Sequence, residues 1–177
     1  MNEEIIMAGF GGQGIMLMGK LLTYAGMKED KEVSWMPSYG PEMRGGTANC
    51  TVIISDKRIP SPMSSKPDSI IVMNLPSLDK FLPKVKSGGT VFMNSSLIAE
   101  EVTRDDVKVI KVPANEMANE IGNSKIANMV MLGSFVEEKN IVKPETVKES
   151  LEKVLSARNQ KLIDLNVKAL EKGKEFK

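Results

Sequence analysis

Hydrophobic positions follow two alternating spacings along the chain, and the alternation predicts strands and helices in turn. Short apolar runs and patterns of every second residue indicate strands, whereas apolar residues three and four positions apart indicate helices. Predicted strands cover residues 4–8, 33–36, 47–54, 69–73, 90–93 and 108–112. Predicted helices cover residues 14–27, 76–85, 114–121, 126–138 and 160–173, and a further helix opens at Pro144.

This order of elements predicts the fold class. We expect an α/β, three-layer, Rossmann-like domain with a mainly parallel sheet, formed by residues 1–177 as a single domain. Residues 47–54 alternate between apolar and polar side chains and end in a polar turn, so they are the candidate for an antiparallel strand. The segment 126–136 is apolar nearly all round, which predicts a helix buried inside the domain or against a partner.

A glycine-rich loop joins the first predicted strand to the first helix. Gly9, Gly11 and Gly14 fit the pattern GxGxxG, and with the strand at 33–36 they indicate a β-α-β unit. Such a loop brings backbone N–H groups and the positive end of a helix dipole towards an anion. The candidate contacts are Gly11, Gly12, Gln13 and Gly14.

The residues after the second strand test whether this loop binds a dinucleotide. A NAD-binding domain normally carries Asp or Glu there, about 20 residues after the glycines, to bind the ribose hydroxyls. Residues 35–39 read WMPSY, and the first carboxylate after them is Glu42. The fingerprint is therefore incomplete, which argues against a nicotinamide dehydrogenase.

A second loop is predicted at residues 37–46, because two prolines and three glycines interrupt any periodicity. Its one cation, Arg44, offers a planar fork of donors that suits phosphate or carboxylate, and Tyr39 offers a hydroxyl or a stacking face. Two interpretations remain open: Arg44 contacts an anionic ligand, or it pairs with Glu42 or a partner subunit. The candidate contacts are Ser38, Tyr39, Arg44 and Gly45.

Composition excludes several function classes. The net charge is +1, from 24 basic and 23 acidic side chains, so no excess of positive charge suggests a nucleic-acid partner. There is no histidine, and the single cysteine, Cys50, can build neither a disulfide nor an iron–sulfur cluster within this chain. We therefore expect no metal and no catalytic residue on this chain, and interpret Cys50 as a small packed side chain.

The charge of the N-terminus and the length of the apolar runs indicate the localisation of the protein. The N-terminus is acidic and its apolar run stops at the glycines, which is not typical of a secretory signal. No apolar run approaches the roughly 18 residues of a membrane span. We expect a cytoplasmic protein without a membrane partner.

Several sequence blocks together resemble the gamma subunit of 2-oxoacid:ferredoxin oxidoreductases. They stand in the family's order over most of the first 135 residues, and the paired GGQG and EMRGG blocks are far more specific than a count of glycines. The blocks are GFGGQG at 9–14, SYGPEMRGG at 38–46, VPAN at 112–115, GN at 122–123 and NMVMLG at 128–133.

The resemblance implies an enzyme that oxidatively decarboxylates a 2-oxoacid, transfers the acyl group to coenzyme A and passes two electrons through 4Fe-4S clusters to ferredoxin. It implies thiamine diphosphate with magnesium between alpha and beta chains, and clusters on the beta chain or on a ferredoxin-like (delta) chain or domain. Members act on pyruvate, 2-oxoglutarate or branched-chain 2-oxoacids, and the short form with EMRGG is more similar to the last two groups.

On this resemblance the chain is a non-catalytic gamma subunit that packs against alpha and beta partners on the coenzyme A side of the site. The glycine loop and Arg44 then either contact the phosphates of coenzyme A or hold the subunit interface. A structural role is favoured for Gly11 to Gly14, and an interface or ligand contact for Tyr39 and Arg44. The alternative is a free-standing Rossmann-like nucleotide-binding protein or NAD-dependent oxidoreductase.

Overall fold

The computed structural model describes residues 1–39, 47–156, 160 and 162–177. Arg44 and Gly45 lie outside the described residues, as does the side chain of Tyr39. The backbone of Tyr39 is described.

One six-stranded sheet organises the described residues, with strand order β2-β3-β1-β4-β5-β6. β1 pairs parallel with β4, β4 with β5 and β5 with β6, whereas β3 pairs antiparallel with both β1 and β2. Five strands therefore run in one direction and β3 alone runs against them, which confirms the mainly parallel sheet and the antiparallel strand at 47–54. The strands are β1 Asn2–Phe10, β2 Glu32–Tyr39, β3 Thr47–Ser55, β4 Ser69–Val72, β5 Thr90–Asn94 and β6 Lys108–Val112.

Helices cover both faces of this sheet. The central strands have apolar side chains on each face, so both faces need to be buried. Ile5 and Met7 of β1 belong to a core with α1 and α3 to α6, whereas Ile6 and Ala8 belong to a second core with α2. The predicted three layers are confirmed. The helices are α1 Ile15–Lys28, α2 Leu75–Phe81, α3 Ala114–Ile121, α4 Ala127–Lys139, α5 Pro144–Val154 and α6 Ile163–Gly173.

β1, α1 and β2 form the predicted β-α-β unit, with one feature that the sequence did not indicate. β1 and β2 are not neighbours, since β3 lies between them and pairs with both: Cys50 stands opposite Met7 on one side and Pro37 on the other. β3 is nine residues long, and along this length it pairs with β1 on one side and with β2 on the other. The connection through α1 thus passes over β3.

The predicted loop at 37–46 also begins too early. Pro37, Ser38 and Tyr39 continue β2, which is an edge strand of the sheet. Proline lacks a backbone N–H, and an edge strand tolerates it because one of its sides needs no ladder hydrogen bond. The composition of this segment was typical of a loop, but the position of the strand at the sheet edge decides its structure.

α4 is the helix that lies deepest in the protein. All ten residues from Ala127 to Val136 are buried, which confirms the prediction from the apolar run. α6 packs directly against it, and a Cβ atom added at Gly133 would collide with the backbone carbonyl of Leu170. The two helix backbones therefore touch, and the chain's own residues cover α4.

Candidate functional site

The carboxyl ends of β1 and β2 and the start of β3 meet at one edge of the sheet. Phe10 is paired with Thr47, and Tyr39 is paired with Ala48. Ser38 and Ala8 stand on opposite sides of Asn49, so Ser38 lies two strand spacings, roughly 9–10 Å, from β1. Both predicted contact segments therefore begin at this edge, where open α/β sheets bind ligands.

The glycine loop forms a tight turn at the end of β1. The backbone N–H of Gln13 donates to the carbonyl of Phe10 at 3.1 Å. Gly11 and Gly12 at the tip of this turn are exposed, and Gly12 has φ +96°. The backbone of the tip therefore faces solvent without any side chain beyond hydrogen to block an approaching group.

Gln13 anchors the loop with both ends of its amide. Its Oε1 atom accepts a hydrogen bond from the backbone N–H of Phe10 at 2.6 Å, and its Nε2 atom donates to the carbonyl of Met73 at 3.3 Å. Met73 directly follows β4, which is the parallel neighbour of β1. The side chain of Gln13 thus ties the loop to the residue after the next strand. Gln13 was a candidate ligand contact, in a segment for which a structural role was favoured.

Gly14 is the residue from which α1 begins. It has φ +75° and ψ +24°, in the left-handed region that glycine adopts without strain. Its carbonyl accepts the backbone N–H of Met18 at 3.1 Å, the first hydrogen bond of the helix, and the Nδ2 atom of Asn128 at 3.2 Å. A Cβ atom at Gly14 would lie 3.0 Å from Cγ of Asn128, so two features require glycine here.

Asn128, which contacts Gly14, was not among the predicted site residues. Asn128 is the second residue of α4 and is 3% exposed. One signal in the sequence points to it, because a polar side chain within an otherwise apolar helix usually has a buried hydrogen-bond partner. The identity of that partner depends on a contact 114 residues away in sequence.

The electrostatics of the loop favour an anion. α1 has no acidic residue in its first turn and no side chain that caps its N-terminus. The first turn of a helix leaves backbone N–H groups without intrahelical acceptors, and the helix dipole adds a partial positive charge there. The first turn of α4, which meets the loop through Asn128, also has no acidic residue.

A second set of polar side chains follows the neighbouring parallel strands at the same edge. Asn74 comes after β4 and caps α2, since its Oδ1 accepts the backbone N–H of Ser77 at 2.9 Å. Asn94 ends β5 and donates from Nδ2 to Oδ1 of Asn115 at 2.7 Å. These contacts join the strand ends to the starts of α2 and α3 beside the glycine loop.

Dinucleotide binding loses its geometric basis in this arrangement. In a NAD-binding domain the strand that carries the ribose-binding acid lies beside the strand before the glycines. Here β3 occupies that position, and it runs in the opposite direction. Its first residues at this edge, Thr47, Ala48 and Asn49, include no carboxylate.

The protonation of Cys50 and the placement of metal-ligating side chains bear on redox and metal chemistry. Burial raises the pKa of the Cys50 thiol to about 12, although the Trp35 indole N–H beside it acts to lower it. A thiol with such a pKa is protonated at neutral pH and therefore a poor nucleophile. Residues 1–39, 47–156, 160 and 162–177 include no cluster of three or more metal-ligating side chains.

Within the same ranges no helix is long and apolar enough to cross a membrane.

Comparison with known proteins supports the sequence resemblance. Residues 4–176 match the family model described as pyruvate ferredoxin/flavodoxin oxidoreductase. The ketoisovalerate oxidoreductase subunit VorA of Methanothermobacter marburgensis is 39% identical over 174 residues, which are 98% of this chain and 36% of that relative. This chain therefore spans little more than a third of that protein's length.

Two solved structures resemble the chain along nearly its whole length. The gamma subunit of a keto/oxoacid ferredoxin oxidoreductase from Geobacter sulfurreducens has a TM-score of 0.84 at 28% identity, covering 98% of this chain and 96% of that chain. The 2-oxoglutarate:ferredoxin oxidoreductase from Magnetococcus marinus, with 2-oxoglutarate, coenzyme A and succinyl-CoA bound, has a TM-score of 0.89 at 25% identity, covering 98% of this chain and 30% of that chain.

Proposed function

Because this chain belongs to the pyruvate ferredoxin/flavodoxin oxidoreductase family, we propose that it is the gamma subunit of a 2-oxoacid:ferredoxin oxidoreductase complex. The reaction converts a 2-oxoacid, coenzyme A and two oxidised ferredoxins to an acyl-CoA, CO2, two reduced ferredoxins and a proton. The observation that carries this proposal is the match of nearly the whole chain to a separate gamma subunit of similar length.

The cofactors of such a reaction belong to other chains in this proposal. The chain has one cysteine, with a raised pKa, and no histidine, so it does not suit a 4Fe-4S cluster. Thiamine diphosphate, magnesium and the clusters would therefore be held by alpha, beta and ferredoxin-like (delta) partners in the cytoplasm. The role left to this chain is to bind and orient coenzyme A and to complete the assembly.

The glycine loop is the part of this chain that we propose contacts coenzyme A. Its tip, Gly11 and Gly12, is exposed, and the N-terminus of α1 behind it offers backbone N–H donors without an acidic neighbour. These features suit the pyrophosphate of coenzyme A. A related structure was solved with coenzyme A bound, which supports this ligand class.

The individual loop residues divide between two roles. Gln13 and Gly14 brace the loop, since the Gln13 amide and the Gly14 carbonyl bind other parts of the chain. Gly11 and Gly12 present the backbone that would meet the phosphates. Ser38 is exposed at the same edge and is proposed as a further contact, together with Tyr39, Arg44 and Gly45.

The substrate side chain is proposed only as a class. The relatives named above act on ketoisovalerate and on 2-oxoglutarate, as their names state. We propose a 2-oxoacid whose side chain is recognised by partner chains.

A pair of variants at Gly12 tests the coenzyme A contact in the assembled complex. Gly12 has open space around its Cα atom, and Asn and Asp tolerate its positive φ better than other side chains. Gly12→Asp adds a negative charge where phosphates would bind, and Gly12→Asn adds the same shape without charge. We expect the KM for coenzyme A to be about tenfold higher in the Asp variant than in the Asn variant. Equal values would contradict the phosphate contact.

Arg44→Ala separates ligand contact from interface. A raised KM for coenzyme A with intact assembly on gel filtration supports ligand contact, whereas loss of assembly supports the interface. Arg58→Ala is the matched control, because Arg58 is exposed just after β3, at the opposite edge of the sheet. If Arg44→Ala behaves like Arg58→Ala in both measurements, neither role holds.

A further inference from the structure

Asn128 is placed to control the direction of a backbone donor in the glycine loop. It is buried at the start of α4, and its Nδ2 atom donates to the Gly14 carbonyl at 3.2 Å. Because a peptide unit is planar and trans, the Gly14 carbonyl and the Ile15 N–H point in opposite directions. A hydrogen bond that fixes the carbonyl therefore also fixes the N–H of Ile15, the first residue of α1.

The loop holds Gly14 against Asn128 with little free space. A Cβ atom at Gly14 would lie 3.0 Å from Cγ of Asn128, closer than an ordinary van der Waals contact. The same Gly14 carbonyl also accepts the N–H of Met18, at 3.1 Å. The side chain of Asn128 thus adds a second hydrogen bond to the one that the helix makes to this carbonyl.

The other end of the loop is fixed separately. Gln13 ties it to Phe10 and to Met73 beyond β4. The asparagine from α4 reaches the peptide between Gly14 and Ile15. α4 is itself buried along ten residues, so it forms a rigid support on which to position that peptide.

We infer that Asn128 is a positioning residue, which aims the Ile15 N–H at a phosphate of coenzyme A through its hydrogen bond to the Gly14 carbonyl. The inference rests on the proposed coenzyme A contact of the glycine loop. It assigns to Asn128 a role in coenzyme A affinity that acts through another residue and leaves the 2-oxoacid chemistry untouched.

Asn128→Asp in the assembled complex is the main test. Aspartate keeps the shape of asparagine but lacks the amide N–H donor, and wherever it is ionised its carboxylate repels the Gly14 carbonyl. We expect the KM for coenzyme A to rise about tenfold, while kcat and the KM for the 2-oxoacid stay within twofold of the unaltered complex. Calorimetric titration of the complex with coenzyme A alone should show the same loss of affinity.

Asn166→Asp is the matched control, because Asn166 is 4% exposed and donates from Nδ2 to the carbonyl of Leu162, the residue before α6. It should lower the thermal unfolding midpoint, as Asn128→Asp does, and leave the KM for coenzyme A within twofold. If Asn166→Asp raises that KM as much, the effect reflects general destabilisation and the inference fails.

Asn128→Ala provides a second variant should Asn128→Asp prevent assembly. It removes the donor without adding charge, and the same split between the KM for coenzyme A and kcat is expected. An unchanged KM for coenzyme A in the Asn128 variants, with a charge-dependent KM at Gly12, overturns this inference alone. An unchanged KM for coenzyme A in both sets overturns the proposed coenzyme A contact as well.

Discussion

The Oε1 atom of Gln13 lies 2.6 Å from the backbone nitrogen of Phe10 and accepts its N–H. The backbone N–H of Gln13 donates in turn to the carbonyl of Phe10, so two hydrogen bonds between these residues close the turn. The same amide reaches Met73 with its nitrogen. The side chain of Gln13 therefore ties the loop to the residue that follows β4.

Gln13→Ala should weaken the loop and the fold together. It removes a hydrogen bond to Phe10 and one to Met73, each worth about 1 kcal/mol, so we expect the free energy of unfolding to fall by about 1–2 kcal/mol. Urea denaturation of the isolated chain, followed by circular dichroism, measures this. Gln13→Glu keeps the acceptor for Phe10 and should lose less; an alanine variant as stable as the unaltered chain would contradict the anchoring role.

Gly133→Ala should lower the free energy of unfolding by more than the backbone strain of an alanine at positive φ would. The added methyl group would run into the carbonyl of Leu170 on α6, and forced overpacking in a core costs about 1–3 kcal/mol or more. Gly122→Ala is the comparison, because Gly122 has φ +95° with open space around it and carries only the conformational cost, roughly 1–2 kcal/mol. Thermal unfolding of both variants ranks them, and a milder effect at Gly133 would argue against the close helix crossing.

Stability in acid should depend on Asp106. The Arg104 guanidinium, bound to both carboxylate oxygens at 2.8 and 2.6 Å, holds the pKa of Asp106 at about 2. Since this folded-state pKa lies below the ordinary value of 3.8, the stabilisation is present above about pH 4 and is lost as pH falls towards 2.

Asp106→Asn should therefore flatten the dependence of unfolding on pH between 4 and 2, measured by urea titrations at each pH. Asp105→Asn is the control, because Asp105 is exposed and has no ion pair within the part of the chain that the structure describes. Arg104 also donates to the carbonyls of Leu82 and Val85, so it would keep its place in both variants. Equal pH profiles for the two variants would assign the acid sensitivity to other groups.

Local periodicity was sufficient to predict most elements of this fold. α4 is the clearest case, since its apolar run predicted a buried helix within one residue of its bounds. β3 was the candidate for an antiparallel strand, because its side chains alternate and it ends in a polar turn. These are properties of neighbouring residues, which a single sequence records directly.

Pairing between distant segments was not predictable in the same way. The place of β3 between β1 and β2, and the extension of β2 through Pro37, depend on which strands meet and not on their own composition. The same holds in the candidate site: the glycines predicted the turn, but the partners of Gln13 and Gly14 lie 60 and 114 residues away. The roles of Arg44 and Gly45 stay predictions.

The direct contact between α4 and α6 has a consequence for how this protein is joined to others. α4, the most deeply buried of the described helices, is covered by α6 of the same chain, so the burial of α4 does not depend on a partner. A domain with its own core can be encoded as a separate polypeptide or as part of a longer one without a change in its packing. Its counterparts occur in both forms, as nearly all of one solved chain and 30% of another.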